Sequence, residues 1–162
     1  YVYKIWNCSV RNPFLTDQLY HFKYPLDVNL MDQAAKAFLG EHDFSAFCSS
    51  GSSVQDHVRR ITQADVTREG NIVLFSVTGN GFLYNMVRII AGTLVEVGRG
   101  AFAPSEVKEM LEQKERGRAG ATAPPQGLVL LGIVYDGQAD TERGQIQKDT
   151  DSSRMREDAD GR

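Results

Sequence analysis

Residues 79–98 read GNGFLYNMVRIIAGTLVEVG. After a Gly-Asn-Gly turn, the sixteen residues from Phe82 to Val97 are almost all apolar and compatible with a helix. Phe82, Met86, Ile89, Ile90, Thr93 and Val97 recur at three- and four-residue spacing, and Leu83, Val87, Ile90 and Leu94 fill the adjoining stripe. That spacing predicts a helix starting at Phe82 and buried on most of its sides. Its length, and its interruption by Asn85, Arg88 and Glu96, exclude a membrane span. Arg88 stands in the middle, between Val87 and Ile89. A guanidinium in apolar surroundings is costly without a partner, so a carboxylate or a phosphate is expected to meet it.

Outward from this helix, Ile72–Thr78 and Val58–Thr67 read as two strands turning at Glu69-Gly70-Asn71, an antiparallel hairpin. Ile72–Thr78 is apolar on both faces, which marks a central strand. Tyr1–Trp6 reads as a further strand with Tyr1 and Tyr3 on one face. Asp27 has the character of an N-cap, opening a helix whose inner face is Leu30, Met31, Ala34, Ala35, Phe38 and Leu39 and which Gly40 closes. Residues 43–47, DFSAF, suggest one helical turn pinned by two aromatics, followed by a small-residue loop, CSSGSS, at 48–53. Ala103-Pro104-Ser105 starts a short helix with Val107, Met110 and Leu111 inward. After a charged turn at 114–118 and the loop AGATAPPQ at 119–126, a last strand is expected over Leu128–Tyr135. The sum is an α+β fold: an antiparallel sheet with helices packed on one face.

The 162 residues suffice for one domain with a real core, and 41% hydrophobic residues is ordinary for a soluble globular protein. The net charge of −3 offers no global attraction to nucleic acid, so such binding would need a local basic patch. Cys8 and Cys48 lack metal-ligand spacing, and His21, His42 and His57 do not cluster with them, which fits a reducing cytoplasm and no metal. No secretion signal is visible. The chain starts without Met, directly in the strand-like YVYKIW, and is expected to be part of a longer protein. From Gly137 the pattern collapses: the last 26 residues hold seven acids, five bases and four apolar residues. They are expected to be a disordered polar tail, 137–162, behind a domain of residues 1–136.

Arg88 leads the candidates for chemistry, although a structural salt bridge would explain it equally well. Asn80, between Gly79 and Gly81, either makes a turn or lets a ligand approach the helix N-terminus, where an anion is favoured. It matches neither common nucleotide fingerprint. Arg59 and Arg60 fall on opposite faces of their strand; Arg60 and Arg68 read as solvated. Tyr1 and Tyr3 read as core or edge aromatics, though a tyrosine can also stack on a base. The three histidines read as surface residues, and Asp43 as a cap rather than the acid–base partner of His42.

Taken together, GNGFLYNMVRIIAGTLVEVGRG, the following AGATAPPQGLVL, the preceding GEHDFSAF and the Tyr1-Val2-Tyr3 start resemble the C-terminal domain of the TruA family of tRNA pseudouridine synthases. The resemblance covers residues 1 to about 136 in order and spacing. It implies a cofactor-free isomerase that converts uridine to pseudouridine at positions 38, 39 and 40 of the tRNA anticodon stem-loop. In bacteria such an enzyme is a cytoplasmic homodimer whose two domains meet at an RNA-binding cleft. It also implies that uracil is detached, rotated and reattached through carbon 5, with an aspartate acting on the ribose or base and the target base flipped out of the stack. Arg88 then resembles the arginine that pairs with the catalytic aspartate, and Tyr1 the tyrosine that stacks on the uracil and can assist proton transfer. Leu128 resembles the apolar lining of the uracil pocket. Arg59 matches an arginine of the hairpin strand at the RNA face, and Asn80, Phe82 and Asn85 match the approach to the helix beside the site.

One element of the family pattern is missing: the Gly-Arg-Thr-Asp-type motif that carries the catalytic aspartate. None of Asp17, Asp27, Asp43, Asp56 or Asp65 stands in such a context. The expectation is a C-terminal portion of an enzyme, inactive by itself, with the aspartate upstream. The alternative is a non-catalytic RNA-binding or dimerisation module that has lost its nucleophile. A small-ligand α+β domain unrelated to RNA would explain the core but not the combined motifs.

Overall fold

A computed structural model describes residues 1–134 of the chain. Six strands and three α-helices follow one another as β1 (Val2–Asn7), β2 (Tyr20–Phe22), α1 (Val28–Ala35), β3 (Gly40–Asp43), β4 (Val58–Glu69), β5 (Ile72–Gly79), α2 (Met86–Gly98), α3 (Pro104–Gln113) and β6 (Leu128–Val129). The hairpin forms as its alternation dictates, with Glu69 opposite Ile72 and Gly70 taking the left-handed φ of +58° that the two-residue turn requires. β5 is central in the strand order β2-β1-β5-β4-β3, flanked by antiparallel β1 and β4.

The sheet is mixed rather than antiparallel throughout, because β2 runs parallel to β1 in the register Ile5↔Tyr20, Trp6↔His21 and Asn7↔Phe22. The connection over residues 8–19, with a 3-10 turn at Pro13–Leu15, is about the dozen residues needed to bring the chain back to the same end of the sheet. The last strand covers only Leu128–Val129, paired with Tyr3 and Val2. That antiparallel register brings Leu130 to the end of β1, and Leu130, Leu131, Ile133 and Val134 are exposed. Tyr135 and the expected tail at 137–162 lie outside the described residues. Helix α2, finally, begins at Met86, not Phe82, because Asn85 adopts a left-handed backbone (φ 59°) that cannot be part of an α-helix.

The core lies between one face of the sheet and the helices. Tyr3 and Ile5 of β1, Val73, Phe75 and Val77 of β5, and Ile61, Ala64 and Val66 of β4 are buried against residues of α1, α2 and α3. Their alternating neighbours Lys4, Trp6, Leu74 and Ser76 are only half-buried. Ten of the thirteen residues of α2 are buried, so its two apolar stripes are both used. Asp27 caps α1 as expected, its carboxylate accepting from the N–H groups of Asn29 and Leu30 at 3.0 and 3.1 Å. Helix α1 is shorter than its periodicity suggests, passing at Lys36 into a 3-10 turn before β3. Residues Tyr1–Leu131 make one compact unit; of the second, from Gly132, only the exposed residues to Val134 are described.

Candidate active site

The elements converge at the N-terminal end of α2. Tyr1 lies at the end of β1, its N–H donating to the Val77 carbonyl and its carbonyl accepting from the Val77 N–H, both at 2.9 Å. Its ring meets Phe82 edge-on, with centroids 5.1 Å apart. Leu128 is opposite Tyr3 in the β1–β6 pair, so it faces the same side of the sheet as the inward tyrosines. Arg59 packs along the Gly-Asn-Gly turn, where a Cβ on Gly81 would stand 3.4 Å from its Nε. Tyr1, Phe82 and Arg59 thus gather around the approach to α2, while Leu128 lies across from Tyr3 on the β1 edge.

Arg88 is half-buried rather than fully enclosed. Its Nε donates to the Ala123 carbonyl at 2.8 Å, and its Nη1 to Asn85 Oδ1 at 3.0 Å. Among the described residues it has no carboxylate partner, so the structural ion pair that could have explained it is absent there. Two neutral acceptors hold it instead. A guanidinium carries five N–H donors, and these two bonds leave three, the Nη2 pair and one on Nη1. Among the described residues no other side chain or carbonyl bonds this guanidinium end, whose donors match two oxygens of one carboxylate or phosphate.

The loop that supplies Ala123 is fixed from several sides. The Ala123 N–H returns a bond to the Arg88 carbonyl at 3.0 Å. Gly92 lets the loop backbone touch the helix, since a Cβ there would overlap the Ala121 carbonyl. At the next residue, the buried Thr93 hydroxyl accepts the Gly120 N–H at 2.9 Å. Tyr3 donates its hydroxyl to the Pro124 carbonyl at 2.6 Å, and Gly127 lies against its ring. Burial, then the nearby Tyr20, push the Tyr3 hydroxyl well above its ordinary pKa against the pull of Arg88, so it stays a neutral donor. Arg116 clasps the loop from outside through Gly120 O and Thr122 Oγ1.

Asn80 serves the sheet: its Oδ1 accepts from the Arg60 N–H at 2.9 Å and its own N–H donates to the Arg60 carbonyl at 3.0 Å, continuing the hairpin ladder. Arg59 donates to the carbonyls of Asp56 and Val58. Arg60 pairs at 3.5 Å with Glu41 on exposed surface. Arg68 is not simply solvated, since its Nη2 ties Asn7 to the Leu26 carbonyl. The histidines are half-buried loop clamps rather than free surface groups: His21 holds the Cys8 carbonyl, His42 the Leu39 carbonyl, and His57 both Ser45 and the Val54 carbonyl. Asp43 accepts from the Ser45 N–H and hydroxyl rather than pairing with His42. Among the described residues no group of acids, cysteines and histidines is arranged to hold a metal ion, and no helix is long and apolar enough to cross a membrane.

Sequence reasoning missed Ser49 and Ala123. A loop serine and a loop alanine carry no local sign of their role, which comes only from contacts 36 and 35 residues away in sequence. Tyr3 could have been found, because alternation with Tyr1 already placed it inward.

Residues 34–136 match the family model described as tRNA pseudouridine synthase. The chain is 47% identical over 135 residues to tRNA pseudouridine synthase A of Caldicellulosiruptor saccharolyticus, covering 83% of this chain and 55% of that protein. It is 48% identical over 136 residues to the enzyme of the same name from Anoxybacillus flavithermus, and 47% over 136 residues to that of Bacillus subtilis, in each case 84% of this chain and 55% of the relative. The chain spans about half the length of the curated relatives it matches.

Proposed function

The chain belongs to the tRNA pseudouridine synthase family, and on that premise we propose that it supplies the arginine side of an active site converting uridine to pseudouridine in tRNA. The observation that carries the reading is Arg88: a half-buried cation held by two neutral acceptors, with three donors unspent at the end of a helix. Keeping a partly desolvated guanidinium without a counter-charge is costly unless an anion completes it. The carboxylate of an aspartate outside the described residues is that anion.

In this reaction the bond from ribose C1′ to uracil N1 breaks, the base turns, and C1′ joins carbon 5; carbon 5 gives up its proton to solvent and N1 takes one up, so the product is an isomer of the substrate. Arg88 keeps the aspartate ionised and oriented, because an adjacent guanidinium stabilises the charged form. Tyr1, braced edge-on by Phe82, stacks on the flipped uracil, and Leu128 lines the apolar side of its pocket. Arg59, beside Gly81, contributes to the RNA face. Asn80 and Asn85 shape the approach to the helix, and no cofactor takes part. The substrate is the anticodon stem-loop at positions 38, 39 and 40, and the enzyme works as a cytoplasmic homodimer.

The test uses the full polypeptide carrying this chain and tRNA labelled with tritium at uridine carbon 5. Release of tritium is expected, with tRNA affinity falling as salt screens the phosphate contacts. Salt-insensitive binding with no tritium release would overturn the reading.

A further inference from the structure

We propose that Asn85, backed by Ser49, is the positioning residue of Arg88: it sets the rotation of the guanidinium so that its free end faces the incoming anion. The proposal rests on the reading of Arg88 given above. Asn85 precedes α2 but does not behave as an N-cap. An ordinary N-cap has extended backbone and spends its side-chain oxygen on the second or third N–H of the helix. Asn85 has φ 59° and ψ 10° and makes no such bond. For a residue with a Cβ this conformation costs on the order of 1 kcal/mol and persists where surrounding contacts fix it.

Those contacts account for both ends of the amide. Oδ1 accepts from Arg88 Nη1 at 3.0 Å, and Nδ2 donates to Ser49 Oγ at 3.1 Å. The amide cannot be the other way round, because arginine only donates. Ser49 is itself anchored, its N–H donating to the Tyr84 carbonyl at 3.1 Å. Tyr84, Asn85 and Ser49 therefore close a ring. Arg88 is gripped on two sides, by this ring at Nη1 and by Ala123 at Nε. With Nε fixed alone the guanidinium could still swing about its own long axis; the second grip stops it. Pre-setting a charged group in this way lowers the cost of aligning it during reaction.

The discriminating variant is Asn85→Gly, which tolerates the left-handed backbone and removes only the amide. In the full protein, kcat for pseudouridine formation should fall about tenfold or more while KM for tRNA stays within about twofold, the pattern of a lost alignment rather than lost binding. In the ¹⁵N-labelled protein, the Arg88 Nη1 and Nη2 signals, separate in the wild type, should merge in the variant. Unchanged kcat, or signals that stay separate, would overturn the proposal. If the wild type makes no pseudouridine, the functional reading fails, and the nitrogen signals alone decide whether Asn85 orients Arg88. Should Asn85→Gly not fold, Ser49→Ala takes its place: a loss of about threefold in kcat at constant KM is expected, and wild-type kcat would count against the proposal.

Discussion

The two ends of α2 are built on different principles. Its C-terminal end closes by a local device: Gly100, at φ +84°, donates to Val97 O, and Ala101 donates to Glu96 O at 2.8 Å, the paired bonds of a Schellman motif. There Gly98 meets Met31 and Leu26 and accepts the Asp27 N–H at 2.8 Å, tying α2 to the start of α1. The N-terminal end has no side-chain cap and a left-handed residue, and it is shaped by partners about 35 residues away in both directions. One end is closed by residues beside it in sequence and then packed on the start of α1; the other is assembled by the tertiary structure around one cation. The difference separates scaffold from site along a single helix.

Adding one methyl at mid-helix, under the loop that holds Arg88, and one at the C-terminal end should test this difference most sharply. In Gly92→Ala the new Cβ would run into the Ala121 carbonyl, backbone that cannot move without displacing the loop that holds Arg88. Urea unfolding should show a loss of about 3 kcal/mol. In Gly98→Ala the obstacle is the flexible end of Met31, and the gain in helix propensity offsets much of the clash, so the cost should stay within about 1 kcal/mol. Equal costs would mean that the loop against Gly92 is free to move. Next in size, Thr93→Val leaves the buried Gly120 N–H without its acceptor, and the same measurement should register about 2 kcal/mol.

The smallest effect belongs to Asp43, which touches neither end directly but caps the turn at Ser45–Phe47. Burial works to raise its pKa, but the Ser45 hydroxyl, Lys114 and the Ser45 N–H hold it below the ordinary carboxylate value. A depressed folded pKa gives stability that is present above about pH 4, the unfolded value, and lost as pH falls through the folded value. The stability gap between wild type and Asp43→Asn should therefore narrow on acidification below about pH 4. A gap that stays constant with pH would show that the charge contributes nothing.

The part of the molecule legible in the sequence is the part made by local rules. The apolar stripes of α2, the Asp27 cap and the Gly70 turn all act within a few residues of themselves. What escaped was set at a distance. Tyr20–Phe22 is too short to alternate and becomes a strand only because β1 offers it an edge. Gly40–Asp43 is polar, and pairs with β4 as a charged edge strand. The apolar periodicity from Phe82 reads straight through Asn85, because nothing local announces that Ser49 and Arg88 will hold that residue in a left-handed turn. Arg88 itself was visible as a cation needing a partner, but its two neutral partners were not.

The most direct test sets a residue of the N-terminal end beside the α1 cap that is tied to the C-terminal end, Arg88→Ala against Asp27→Ala in the full protein, measuring both unfolding free energy and pseudouridine formation. Each variant should lose about 1 kcal/mol of stability, the first through two hydrogen bonds and the second through a helix cap. Activity should divide them: Arg88→Ala should turn over at least about a hundredfold more slowly, and Asp27→Ala at close to the wild-type rate. If activity instead follows stability alike in both, Arg88 is only another piece of scaffold.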